Sequence, residues 1–221
     1  MLTLRTKFLQ IQKLLVLIPF LAVSLSAASQ SKDLEEGWIS LFDGKTLNGW
    51  KANENPQTFS VKDGAIQVNG NVSHLFYVGD VGNHDIKNFE LKLEVMTFPN
   101  SNSGIYFHTK FQDKGFPAIG HEVQVNISHS DWKKSGSLYN VVNVDKVPAV
   151  DNEWYTQHII VQGKNVRILI NGQLIYEYNE PDLKETAKPG RAISSGTFAL
   201  QGHDPGSKVL FKNIRVKLLP N

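Results

Sequence analysis

The feature that most restricts the fold of this chain is alternation with a period of two. Asn88 to Thr97 reads NFELKLEVMT: Phe89, Leu91, Leu93 and Val95 point one way, Glu90, Lys92 and Glu94 the other. A strand gives this pattern because successive side chains leave opposite faces of the pleat, whereas a helix needs spacings of three and four. Thr58 to Val68, TFSVKDGAIQV, carries Asp63-Gly64, and Val166 to Tyr178, VRILINGQLIYEY, carries Asn171-Gly172. Both dipeptides tolerate the positive φ of a two-residue hairpin turn, so each segment is expected to fold back on itself. Val209 to Leu218 alternates weakly, as a last strand. After residue 37 helical spacing is scarce, and only Asp182 to Thr186, following Pro181, suggests a helical turn. Strands with no helices to cover them bury a core by packing two sheets together or by closing one sheet into a barrel. About a dozen strands joined by short turns predict an all-β sandwich of two antiparallel sheets in one domain.

The first 28 residues stand apart from that domain. Arg5, Lys7 and Lys13 come without an acid, Leu14 to Leu25 is apolar, and Ser26-Ala27-Ala28 supplies small residues. This is the layout of a secretory signal peptide, with cleavage expected after Ala28. The apolar run is shorter than the roughly 20 residues that span a bilayer, and Pro19 interrupts it. Export to the periplasm or the medium is therefore expected, with no stable membrane insertion after cleavage. The formal charge of +2 includes the three leader cations, so the exported chain is near neutral and no nucleic-acid partner is expected. Absence of Cys excludes disulfides, thiolate metal sites, a cysteine nucleophile and a lipoprotein anchor.

Three strands carry unusual polar faces. In Gly104 to His108, Tyr106 and His108 face away from the core side set by Ile105 and Phe107. In His121 to Asn126, Glu122, Gln124 and Asn126 face away from Val123 and Val125. In Phe198 to His203, Gln201 and His203 face away from Phe198 and Leu200. Solvated sheet faces are usually rich in Lys, Glu, Thr and Arg. Amides, imidazoles and phenols both donate and accept hydrogen bonds, which suits a ligand covered in hydroxyls. Trp132 lies in the polar segment SHSDWKKSG and is available to stack on a sugar, whereas Trp154 opens a strand and is expected in the core. His84-Asp85 and His203-Asp204 are adjacent pairs, but neighbours on a strand face opposite sides. The seven His show no HxH or HExxH spacing, and no phosphate loop, dinucleotide fingerprint or Gly-x-Ser-x-Gly is present.

Gly37 to Trp50, GWISLFDGKTLNGW, resembles the opening of the 3-keto-disaccharide hydrolase family, also described as 3-keto-glucoside 1,2-lyases and 3-keto-2-hydroxyglucal hydratases. The resemblance continues in order through Asn102-Ser103-Gly104-Ile105, Glu122-Val123-Gln124-Val125, Gly136-Ser137-Leu138-Tyr139 and Glu153-Trp154. It runs on through the Asn171-Gly172 hairpin, Leu200 to His203 and Phe211 to Val216, covering Gly37 to Leu219. Two positions depart: His108 stands where the family usually has Arg, and Asn126 where it has an aspartate. The resemblance implies a concanavalin A-like jelly-roll sandwich over residues 37–219, acting on a 3-keto-glycoside or another glycoside. A C3 ketone acidifies the C2 proton, so a base can start β-elimination across C1–C2, and water then adds back for net hydrolysis. This needs a base, an acid and an enolate-stabilising group. Glu122, His108 and His203 are the expected catalytic residues, with Tyr106, Gln124, Asn126, Trp132, Tyr139 and Gln201 binding substrate. No nucleotide cofactor is expected; a divalent metal would have to be assembled from separate strands. The alternative is a non-catalytic, lectin-like module.

Overall fold

The computed structural model describes residues 36–182 and 192–221. The expected leader lies outside them, as does the expected helical turn apart from Asp182. Among the described residues thirteen strands form two antiparallel sheets. They are β1 (Trp38–Ser40), β2 (Trp50–Ala52), β3 (Phe59–Lys62), β4 (Ala65–Asn69), β5 (Ser73–Tyr77), β6 (Phe89–Thr97), β7 (Asn102–Thr109), β8 (His121–Asn126), β9 (Tyr155–Gln162), β10 (Asn165–Ile170), β11 (Gln173–Asn179), β12 (Thr197–Gly202) and β13 (Lys208–Leu218). The large sheet runs β11-β10-β9-β6-β13-β4-β3, with β1 also on β13, and the small sheet runs β2-β5-β12-β7-β8.

Both expected hairpins form. Asp63 and Gly64 join β3 to β4, Asn171 and Gly172 join β10 to β11, and all four have positive φ. β6 keeps its alternation, buried and half-buried in turn, so Phe89, Leu91, Leu93 and Val95 enter the space between the sheets. There Phe89 meets Phe107 and Phe198 edge-on, with ring centroids 5.8 and 4.9 Å apart. Val123, Val125, Leu200, Phe211 and Val216 complete the same core. Each such side chain contributes roughly 1.5–3 kcal/mol by leaving water.

The weak alternation of the last strand has a local cause. The register of β13 against β6 shifts between Lys212 and Arg215, and Asn213 takes φ 51°. Val209 and Phe211 face inward before this bulge and Ile214 and Val216 after it, so the parity changes mid-strand. Trp154 departs from expectation: β9 begins one residue later, Tyr155 takes the core position, and Trp154 stays half-buried under the Lys212 Nζ at 3.9 Å.

The Gly37 to Trp50 segment is structural. Trp50 is buried against Tyr77 and donates its indole N–H to the Leu41 carbonyl at 2.7 Å. Asp43 closes the intervening turn by accepting from the Lys45 and Thr46 amides at 2.8 and 2.7 Å.

Candidate active site

The outer face of the small sheet carries the unusual polar side chains. Pairing of β7 with β8 sets Tyr106 opposite Glu122 and Gly104 opposite Gln124, while β12 against β5 sets Gln201 opposite His74. Glu122 accepts from the Tyr106 hydroxyl at 2.8 Å through Oε2, and from Gln201 Nε2 at 3.1 Å through Oε1. Gln201 Nε2 also reaches the Tyr106 oxygen at 3.0 Å, closing a three-residue ring. The carboxylate lies over Gly104, where a Cβ would stand only 2.4 Å from Oε1. Glycine at this position leaves the space the carboxylate occupies.

Beside this ring is a cavity of about 300 Å³ lined by Asn102, Phe116, Glu122, Gln124, Tyr139 and His203. Tyr139 arrives because the following segment extends the edge of β8: Gly136 N donates to Gln124 O, and Tyr139 N to Glu122 O. β12 ends at Gly202, so the strand rule that separates neighbours no longer applies to His203 and Asp204. Asp204 turns back and accepts from His203 Nδ1 at 2.8 Å. Burial by itself would raise the Asp204 carboxyl, but hydrogen bonds from Ser207, His203 and Gly206 outweigh it and hold it below its ordinary value. With Nδ1 committed to this carboxylate, Nε2 is the ring nitrogen that His203 can offer to the cavity.

Several buried atoms on this face have no hydrogen-bond partner among the described residues: both ring nitrogens of His74, Asn102 Oδ1, Gln124 Nε2 and Gln201 Oε1. A lone buried polar atom costs about 1–3 kcal/mol, so a group of them marks where water or a hydroxylated ligand binds. His74 is fully buried, its ring set edge-on to Tyr106 and Phe116 at 5.4 and 5.1 Å. Burial, with a smaller contribution from His203, lowers its pKa to about 4, so the imidazole is neutral at ordinary pH.

Glu122, Gln124, Tyr106, Gln201, His203 and Tyr139 thus lie together on this face. His108 does not join them. It takes φ 54° beside a register shift between β7 and β12, which turns its side chain off the polar face. Its ring packs on Phe89 and Phe107 and bridges Lys87 O at 2.9 Å and Ser194 N at 3.1 Å, so both nitrogens serve the backbone. Asn126 is also committed elsewhere: its amide donates to Asp131 O and Lys133 O and accepts from His129 N, holding the loop that carries Trp132. Trp132 is 57% exposed and forms no part of the cavity wall. Among the described residues no three His, Asp or Glu side chains converge as metal ligands.

Sequence reasoning missed His74, Asn102, Phe116 and Asp204. The parity of SHLFY, with Leu75 and Tyr77 inward, was a usable signal for His74. Asp204 escapes the alternation because β12 ends at Gly202, before it.

A sequence profile of the 3-keto-alpha-glucoside-1,2-lyase-like domain matches residues 37–217. The chain belongs to this family. A 3-keto-disaccharide hydrolase of Bacteroides thetaiotaomicron is 29% identical, with 90% of this chain and 87% of that protein aligned. Together they make this family member an enzyme of the hydrolase or lyase class. The crystal structure of a candidate glycosyl hydrolase from Parabacteroides distasonis superposes with a TM-score of 0.71 at 26% identity, covering 84% of this chain and 95% of that one. A carbohydrate-binding module of Bacillus subtilis shares the fold alone, with a TM-score of 0.55 and 14% identity over 76% of this chain and 95% of that one.

Proposed function

We propose that this protein is an exported enzyme that cleaves 3-keto-glycosides by β-elimination across C1–C2 followed by addition of water. The observation that carries the reading is Glu122, the one carboxylate among the described residues of the cavity wall, which accepts from Tyr106 and Gln201 there. Direct glycoside hydrolysis ordinarily employs two carboxyl groups flanking the bond. Elimination needs one base, and a ketone at C3 makes the C2 proton acidic enough for a carboxylate to take.

In this reading Glu122 removes the C2 proton, and the electron pair moves into the C2–C3 enolate. Gln124 Nε2, a buried donor without a partner among the described residues, holds the C3 oxygen as charge develops there. The enolate collapses to a C1–C2 double bond and expels the leaving oxygen, which takes a proton from His203 Nε2. Asp204, accepting from Nδ1, orients that imidazole so that Nε2 faces the leaving oxygen. Water then adds at C1 and a proton returns to C2, giving the free 3-keto sugar. Tyr106 and Gln201 fix the carboxylate, and Asn102 Oδ1 and Gln201 Oε1, which have no partner among the described residues, accept from substrate hydroxyls. Export rests on the charged, apolar and small-residue order of Met1 to Ala28.

Reaction in heavy water tests the chemistry. Elimination places deuterium at C2 of the 3-keto sugar, after correction for exchange of the free product. Displacement at C1 leaves C2 unlabelled and overturns the mechanism. Binding of sugars without turnover of any 3-keto-glycoside overturns the enzymatic reading in favour of a lectin-like one. Parallel runs with a chelator read any contribution from a divalent ion.

A further inference from the structure

We propose that Phe116 is the platform on which the ring of the substrate's leaving group stacks; this rests on the function proposed above and extends it to the aglycone. The cavity, at about 300 Å³, is at the small end of ligand pockets. It suits the single sugar ring whose C1, C2 and C3 react, so the leaving group must lie at the rim. Phe116 lines the cavity and is nevertheless 49% exposed. An apolar ring left facing solvent beside a wall of amides and imidazoles has the amphipathic setting that sugar and aryl rings use for stacking.

The loop around Phe116 is organised to hold this exposed ring. Gln112 Nε2 donates to Lys114 O at 2.6 Å and Phe116 O at 2.9 Å, and Gln112 Oε1 accepts from Ala118 N at 2.8 Å. Gly115 is clasped from both sides, its N–H donating to Glu54 Oε1 at 2.8 Å and its carbonyl accepting from Asn53 Nδ2 at 3.1 Å. Asn53 in turn accepts from the His74 amide at 2.8 Å, tying the loop to β5. At the other end Phe111 packs edge-on against Phe76 at 5.4 Å, under Lys51 Nζ. Phe116 itself meets His74 and His203 edge-on at 5.1 and 6.2 Å. His203 is the proposed donor to the leaving oxygen, so the aromatic ring sits beside the point where the aglycone departs. Trp132 is more exposed but does not line the cavity, and the rings that meet His203 among the described residues are those of Phe116 and His129. Preorganising the loop in the free protein lowers the cost of ordering it on binding.

The test compares p-nitrophenyl and methyl 3-keto-glucosides with the wild type, Phe116→Ala and Phe116→Trp. Phe116→Ala should lower kcat/KM for the aryl substrate about tenfold more than for the methyl one, mainly through KM. Phe116→Trp should retain the aryl preference. Equal losses on both substrates, or an aryl preference untouched in Phe116→Ala, overturn the platform. If the wild type turns over neither substrate, the proposed function fails separately. The platform is then read by calorimetric binding of phenyl and methyl glucosides: an aryl advantage lost in Phe116→Ala supports it, and one unchanged or absent in the wild type overturns it.

Discussion

The outer faces of the two sheets obey the same alternation and end in opposite states. On the large sheet, β6 alternates buried with half-buried, and its outward Glu90, Lys92 and Glu94 find charged or aromatic partners. Glu90 meets His158 at 2.9 Å, Glu94 meets Lys212 at 3.3 Å, and Lys92 lies over Trp38. On the small sheet, β5, β7 and β12 are buried along their whole length, on both faces. The loop through Phe111 and Phe116 and the segment ending at Tyr139 cover that outer face, yet His74, Asn102, Gln124 and Gln201 keep atoms there with no partner among the described residues. A wet face solves its hydrogen bonding with water and pairing. A covered face that leaves donors and acceptors unpaired is organised for something that arrives later.

The strongest way to break this comparison is to reverse the parity on which it depends. Val123 is fully buried between the sheets, one residue from Glu122. Val123→Asp should cost more than about 4 kcal/mol by burying an unpaired carboxylate, seen as loss of the cooperative melt. A melt like that of Glu122→Gln would mean that the register of β8 is wrong.

Glu122→Gln tests whether the covered face is chemical. It should reduce kcat by roughly 100-fold or more while leaving the melting temperature nearly unchanged. Glu94→Gln on the large sheet should leave kcat alone. Similar activity in the two variants would erase the functional difference between the faces.

The buried histidines sharpen the contrast. Burial holds both His74 and His108 at about 4, below the unfolded value near 6.5. The unfolded chain therefore binds more protons between those values, and stability falls as pH drops from about 6.5 toward 4, by up to roughly 3 kcal/mol for each residue. Denaturant melts at pH 7.5 and pH 5 should show this, and either substitution by Phe should shrink it. At pH 7.5 the two should differ. His108→Phe strands the Lys87 carbonyl and the Ser194 amide and should cost about 1–3 kcal/mol. His74→Phe removes nitrogens with no partner among the described residues and should cost less. Equal costs at pH 7.5 would mean that the His74 nitrogens are satisfied in the free protein.

The smallest effect belongs to the large sheet. Lys212 sits over Trp154 and beside Glu94, both half-buried at the surface. Lys212→Ala should cost at most about 1 kcal/mol and leave kcat unchanged. A larger loss in a urea melt would show that pairing on this face is structural in earnest.

Local patterns were enough for the scaffold. Alternation in β6, the turns at Asp63-Gly64 and Asn171-Gly172, and the Gly37 to Trp50 opening specify strands, hairpins and a packed sandwich, because each depends on neighbours in sequence. The same parity placed Tyr106, Glu122, Gln124 and Gln201 on one face, where they meet. It failed at His108 and Asp204, where a bulge and a strand end reset which side a side chain takes. Other features required contacts between segments far apart in the chain. The space over Gly104 is filled by Glu122 from the next strand, Gly115 is clasped by Asn53 and Glu54, and Phe116 closes over His74. Periodicity in a sequence reports the face of an unbroken strand. Which strands lie side by side, and which loop folds over them, is decided by long-range packing, and here that packing turned a polar face into a cavity.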